Sequence, residues 1–271
     1  MLSLFGSGFI GSAYVAKYKR VYIEPRWSII PKYDNVLLAY GTSDNYNIFT
    51  ETPTIDFDVN VCKLIRILNN CKGRKIEFTL LSSWFVYAGS GLNTPHKEDD
   101  LSNALGYYSI SKKAAENVLI TFCRLFDKEF NILRLANIYG PGDKKVSAKK
   151  NALTYLINKL KNNEDVQLYD DGNFTRNFLF IDDCVEAIKL IIDKGEKNQI
   201  YNVGANLSYN FGDLIRFCKK ELNSKSKITS ISPPKFHGIV QMKNIDLDTS
   251  KLFRLGFKPK VSILDGLRTL F

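Results

Sequence analysis

Apolar residues in this chain fall into short continuous runs separated by stretches of helical spacing. Met1–Phe5 is an apolar strand that runs straight into GSGFIG, and a helical pattern follows through Ser12 to Tyr18. Arg20–Ile23, Asn35–Tyr40 (NVLLAY) and Lys75–Ser82 (KIEFTLLS) read as further strands. The unbroken apolar character of NVLLAY suits a parallel sheet covered on both faces. Between the runs, Gly41–Thr54 is polar loop, and Phe57–Cys71 sets Val61, Leu64, Ile65 and Leu68 at helical spacing. Strand alternating with helix predicts an α/β chain built on a doubly wound parallel sheet.

The second half continues in kind. Ala148–Lys161 is an amphipathic helix, Asp170–Asn173 a turn and Phe178–Ile181 a strand. Asp182 or Asp183 is expected to cap a helix over Val185–Ile192. A helix over Phe211–Leu222, a Pro-Pro loop at 233 and a short helix ending at Gly256, a suitable C′ residue, complete the chain. The expected division is 1–145 with 176–204 as a dinucleotide-binding unit, and 146–175 with 205–271 as a smaller interleaved substrate-binding portion.

Composition narrows the class. In 271 residues, 45% apolar and 13% aromatic content is ample for a buried core. Thirty-eight basic against 28 acidic residues give +10. The lysines are scattered and never interleave with aromatics, so the excess leans weakly towards a small anionic ligand and away from nucleic acid. Five cysteines without CxxC spacing, most among apolar neighbours, read as buried reduced thiols of a cytoplasmic protein. No metal site is expected. With no basic leader and no run of 18 apolar residues, neither a signal peptide nor a membrane span is expected.

Two stretches carry candidate chemistry. In GSGFIG, Gly6, Gly8 and Gly11 join a strand to a helix that Phe9 and Ile10 open. Such a turn lets backbone approach a pyrophosphate at the positive end of the helix. Glu24 follows Gly6 by 18 residues, near the place where an acid bonds the adenine ribose. That favours NAD, while Arg26 nearby suits the 2′-phosphate of NADP. The second stretch is YYSISKKAAE, Tyr107–Glu116, where Tyr108 and Lys112 share a helical face. A cation beside a phenol favours the phenolate, lowering a pKa near 10 towards a useful value. Ala39, Ser82 and Ser83 lie at the carboxyl ends of strands, where open α/β sheets bind ligands. A second pair at the same spacing, Tyr155 and Lys159, follows no serine-bearing strand and reads as an exposed helix face.

Taken together, GSGFIGS, SSWFVYAG, YYSISKKAAE, LRLANIYGPGD (Leu133–Asp143), DGNFTRNFLFIDDCVEAI (Asp171–Ile188), YNVG (Tyr201–Gly204) and DTSKLFRLGFKP (Asp248–Pro259) resemble one family. It is the extended short-chain dehydrogenase/reductases of the NAD-dependent epimerase/dehydratase type, which modify nucleotide sugars on a Rossmann-type fold. The resemblance covers nearly the whole chain. It implies that Tyr108 transfers the proton, that Lys112 tunes it and anchors the cofactor ribose, and that Ser83 bonds substrate. It further implies that Ala136 to Ile138 pass the nicotinamide, that Asn137 touches substrate, and that Asn151 and Arg176 hold the nucleotide diphosphate, for which a guanidinium fork is suited. Without its motif, Arg176 reads as a strand-edge surface charge. A nucleotide-diphosphate sugar as ligand and a homodimer are implied in the same way.

Departures from the family pattern bear on the reading. Phe5 stands where the family usually opens its glycine fingerprint. The stretch from Glu24 to Asn35 is too short for the helix and strand usually found there, so the sheet is expected to lack an element. The later phosphate-binding arginine is missing, with Lys235, His237 and Lys243 nearby as substitutes. Trp84 and Phe85 occupy the places of the acid pair that dehydratases of the family use. A C4 epimerase is therefore the expected activity, with an NAD(P)H-dependent keto-sugar reductase and a non-catalytic NAD(P) sensor as alternatives.

Overall fold

The computed structural model describes all residues except 43, 45, 90–94, 145, 148–150, 242 and 243. Lys243 and the first three residues of the helix expected from Ala148 lie outside the described residues. The first half runs β1 (Leu2–Phe5), α1 (Phe9–Lys17), β2 (Val21–Ile23), β3 (Asn35–Leu38), α2 (Ile55–Phe57), α3 (Lys63–Asn69), β4 (Glu77–Ser83), α4 (Tyr107–Leu125) and β5 (Glu129–Leu135). Next come β6 (Asn137–Tyr139), α5 (Ala152–Lys161), β7 (Val166–Tyr169), β8 (Thr175–Phe180), α6 (Ile181–Lys194) and β9 (Gln199–Val203). The chain closes with β10 (Ser208–Asn210), α7 (Phe211–Glu221), β11 (Ile228–Ile231), α8 (Lys235–Val240), α9 (Ser250–Arg254) and α10 (Ile263–Arg268).

Six strands form one parallel sheet in the order β2-β1-β3-β4-β5-β9. Period-two alternation sends successive side chains to opposite faces. Leu4, Leu37 and Leu133 join the core under α1 and α6, whereas Phe5, Val36, Leu38 and Ile132 join the core under α3 and α4. Burial on both faces explains the continuous apolar runs. Between β2 and β3 there is neither helix nor strand, so β2 is the sheet edge, as the short Glu24–Asn35 stretch implied. A second sheet, β10-β8-β6, and a parallel pair, β11-β7, carry α5 and α7 beside the carboxyl ends of the main strands.

Several local expectations are corrected. The helix expected over Val185–Ile192 starts four residues earlier, at Ile181, and neither Asp182 nor Asp183 caps it. Asp183 instead accepts the backbone amides of Lys260 and Val261 at 3.0 Å each, tying α6 to the C-terminal segment. The strand expected at Phe178 begins at Thr175. The helical pattern after Phe57 passes through a π-turn over Asp58–Cys62 before α3, which rotates the faces on either side of Asn60. Cys62 is exposed, while the other four cysteines are buried free thiols. Among the described residues no helix is long and apolar enough to cross a membrane, and no group of three His, Cys, Asp or Glu could hold a metal ion.

Candidate active site

β1 ends at Phe5, and Gly6 takes φ +104°, a left-handed backbone that costs glycine little. A Cβ there would lie 2.6 Å from the Tyr40 amide nitrogen, and one on Gly11 only 2.0 Å from the Gly6 carbonyl oxygen. Both positions demand glycine because two stretches of backbone meet. Gly8 has open space instead, and with Ser7, Phe9 and Ile10 it lines a cavity of about 960 Å³. It precedes α1 without a side-chain cap, leaving the first amides and the positive helix end for an anion. These features fit a dinucleotide pyrophosphate. Phe5, in place of the family's opening glycine, is buried in the core and meets Tyr40 edge-on at 6.5 Å.

The same cavity is lined by Ala39, Ser82, Ser83, Tyr108, Lys112, Ala136, Asn137, Ile138, Asn151 and Arg176. Strand ends supply the serines and Ala39, while the first turns of α4 supply Tyr108 and Lys112. Burial pushes the Tyr108 phenol up to about 12, opposed by the Ser83 hydroxyl and reinforced by Asp56. Burial pushes Lys112 down to about 8, against the carboxylates of Glu116 and Asp56. The expectation that Lys112 lowers the phenol is therefore not met here. Its Nζ donates to the Leu81 carbonyl at 3.0 Å, and burial is the largest influence on the phenol.

On the other side of the cavity, Arg176 is buried rather than a strand-edge charge. Its guanidinium lies 4.5 Å over Phe174 and 5.6 Å over Trp84, and it donates to Thr175 and Gln241. Burial lowers its pKa to about 9. Asn151 adopts the left-handed conformation before α5 and donates to Asp143 at 2.9 Å, and Asn137 donates to the Asn177 carbonyl at 2.9 Å. His237 also lines the cavity, 3.2 Å from the Tyr46 hydroxyl, whereas Lys235 is exposed. Trp84 and Phe85 stack at 3.8 Å, and Phe85 meets Tyr108 edge-on at 5.8 Å.

Three expectations part from this arrangement. Glu24 does not line the cavity. Its Oε1 accepts from Ser3 Oγ and from the Lys32 amide, both at 2.7 Å, pinning the loop after β2 to β1. Arg26 is exposed and also absent from the lining. Tyr155 and Lys159 are not on a solvent face, for both are half-buried in the cavity wall.

Of the other contributors, only Glu116 had a signal in spacing. Thr42 lines the cavity, and behind it Asp56 and Asn60 are buried. Beneath α4, Glu116 takes two bonds from Arg134, at 3.0 and 2.8 Å, and one from Ser82 at 2.6 Å. Glu116 stands four residues after Lys112, so helical spacing alone pointed it the same way.

The NAD dependent epimerase/dehydratase family model matches residues 29–204, more than half of the chain, starting after the glycine turn. A Methanocaldococcus jannaschii protein provisionally named UDP-glucose 4-epimerase is 27% identical over 86% of this chain and 74% of its own length. Human dTDP-D-glucose 4,6-dehydratase is 29% identical over 73% of this chain, which spans 56% of that protein. A UDP-glucose 4-epimerase from Thermotoga maritima, solved with UDP-glucose, superposes with a TM-score of 0.88 over 99% of this chain and 96% of that one, at 22% identity. One from Thermus thermophilus, solved with NAD, gives 0.83 over 100% and 97% at 20% identity. The structural likeness establishes the Rossmann-type fold, and the matched segment establishes that this chain belongs to the NAD dependent epimerase/dehydratase family.

Proposed function

We propose that this chain is an NAD-dependent epimerase that inverts C4 of a nucleotide-diphosphate sugar through a transient 4-keto sugar. The observation that carries the reading is that Ser83, Tyr108 and Lys112 line one cavity with the glycine turn at one side and Arg176 at the other. Bound NAD supplies a reversible hydride acceptor and, when oxidised, a positive charge that favours the phenolate. Tyr108 takes the proton of the C4 hydroxyl and later returns it, with Ser83 bonding the same oxygen. Lys112 holds a cation beside the phenol at neutral pH. Asn151 and Arg176 grip the diphosphate, so that the sugar turns while the nucleotide stays fixed. Neither Trp84 nor Phe85 can act as an acid or a base at neutral pH, which leaves elimination of water without its acid and base.

Keto-sugar reduction with NADPH is the second reading, favoured by one observation. The Glu24 carboxylate is bonded to Ser3 and Lys32 and stands outside the cavity wall, so repulsion of a 2′-phosphate by it is weakened. The two readings separate on incubation with a panel of nucleotide sugars without reductant, with products read by NMR. Inversion at C4 without net NADH is expected. A 4-keto-6-deoxy product, or turnover only on adding NADPH, overturns the epimerase.

A further inference from the structure

We propose that Asp56 is a positioning residue for the Tyr108 and Lys112 pair, a buried carboxylate that holds the cavity wall against the lysine ammonium through Thr42 and Asn60. The inference rests on the catalytic reading of that pair. Asp56 is fully buried in α2. Its Oδ1 accepts from Thr42 Oγ1 and from Asn47 Nδ2, the latter at 3.0 Å, while Oδ2 has no hydrogen-bond partner among the described residues. A carboxylate taken out of water and met only by neutral donors is poorly compensated.

One cation its charge acts on is Lys112. A Cβ on Gly41, the residue before Thr42, would lie 2.8 Å from Lys112 Nζ and 3.0 Å from Asn60 Oδ1. Asn60 donates to Thr42 Oγ1 at 3.0 Å and to Ser111 Oγ at 2.9 Å, and accepts the Thr42 amide at 3.2 Å. Ser111 in turn donates to the Tyr108 carbonyl at 2.8 Å. One network thus joins Asp56, the wall residue Thr42 and the helical turn between Tyr108 and Lys112. Glu116, the larger of the two carboxylate influences on Lys112, is already matched by Arg134, Lys113 and Ser82. Asp56 forms no ion pair of its own among the described residues, so its charge is left to act on Lys112, whose ammonium burial weakens.

Asp56→Asn keeps the shape and an acceptor for Thr42 but removes the charge. Two midpoints are to be followed: the pH dependence of Lys112 labelling by an amine-reactive reagent without cofactor, read by peptide mass, and the alkaline limb of kcat/KM. Both are expected to move to lower pH by about half a unit or more, and Asp56→Glu is expected to restore them. A fall in rate or melting temperature with both midpoints unmoved overturns the inference. Thr42→Val severs the link and leaves the charge. It is expected to lower kcat about tenfold or more at an unmoved labelling midpoint, and an unchanged kcat overturns the proposed link even where Asp56→Asn does not fold. Full turnover by Tyr108→Phe on the same assay removes the catalytic reading and the inference with it, whereas loss there with unmoved Asp56→Asn midpoints removes the inference alone.

Discussion

Tyr108 and Lys112 feel opposite effects of the same burial, the phenol held neutral up to about 12 and the ammonium weakened to about 8. Tyr108→Phe is expected to lose at least about a hundredfold in kcat/KM while retaining cofactor affinity, as loss of a general acid and base does. Titration calorimetry beside the rate assay separates the two effects. Lys112 gives the pH dependence its sign: the cation is present below about 8 and lost above it, so turnover should fall on the alkaline side. At the glycine turn, Gly11→Ala drives a methyl to 2.0 Å from the Gly6 carbonyl oxygen. Relief requires backbone movement, expected to cost about 1–3 kcal/mol and to weaken nucleotide binding, with Gly8→Ala far milder on melting temperature. The tyrosine, lysine and serine were legible because a helix face and a strand end follow from spacing. Asp56 was not, because an acid just before the helix expected from Phe57 reads as solvated until the fold buries it.

Among the elements, α4 carries the site and is anchored from below. Glu116, buried on its inner face, binds Arg134 of β5 and Ser82 of β4, and Arg134 continues to the Tyr87 hydroxyl at 2.8 Å. Removing one member leaves an uncompensated buried charge, so Glu116→Gln is expected to cost about 3–5 kcal/mol in urea unfolding. His96 lies at the other end of this network, stacked on Tyr87 at 4.9 Å. Its two ring nitrogens lack hydrogen-bond partners among the described residues, with Nδ1 3.6 Å from Asp100. Burial lowers its pKa below the ordinary 6.5, opposed by Asp100 and Asp246. The unfolded chain therefore binds the proton more readily, and this contribution to stability is full above 6.5 and lost as pH falls towards the lowered value. Comparing unfolding at about pH 7.5 and about pH 5.5, the wild type should lose more stability than His96→Gln. A wild type that loses no more than the variant sinks the assignment. The starts of α6 at Ile181 and of β8 at Thr175 escaped prediction for one reason: cap and strand ends are decided by distant partners, Asp183 by Lys260 and Thr175 by Asn210.

For the whole molecule, the cavity joins the glycine turn of the parallel sheet to α5, β7, β8 and α8. Purified protein denatured and analysed by mass is expected to release NAD, since an epimerase regenerates its cofactor in each cycle. Release of NADP instead would favour the reductase. Alternation of apolar runs with helical periods, the GSGFIG junction and the Tyr108, Lys112 and Ser83 set were all determined by the sequence itself, because local spacing dictates face, turn and strand end. The missing element between Glu24 and Asn35 was legible too, as a matter of chain length. Only the tertiary structure turned the Glu24 carboxylate onto Ser3, brought Tyr155 and Lys159 into the cavity wall, buried Arg176 over Phe174 and set Asp56 behind Thr42. Each of these depends on contacts between residues far apart in the chain and on the desolvation they impose together, quantities that no local pattern contains.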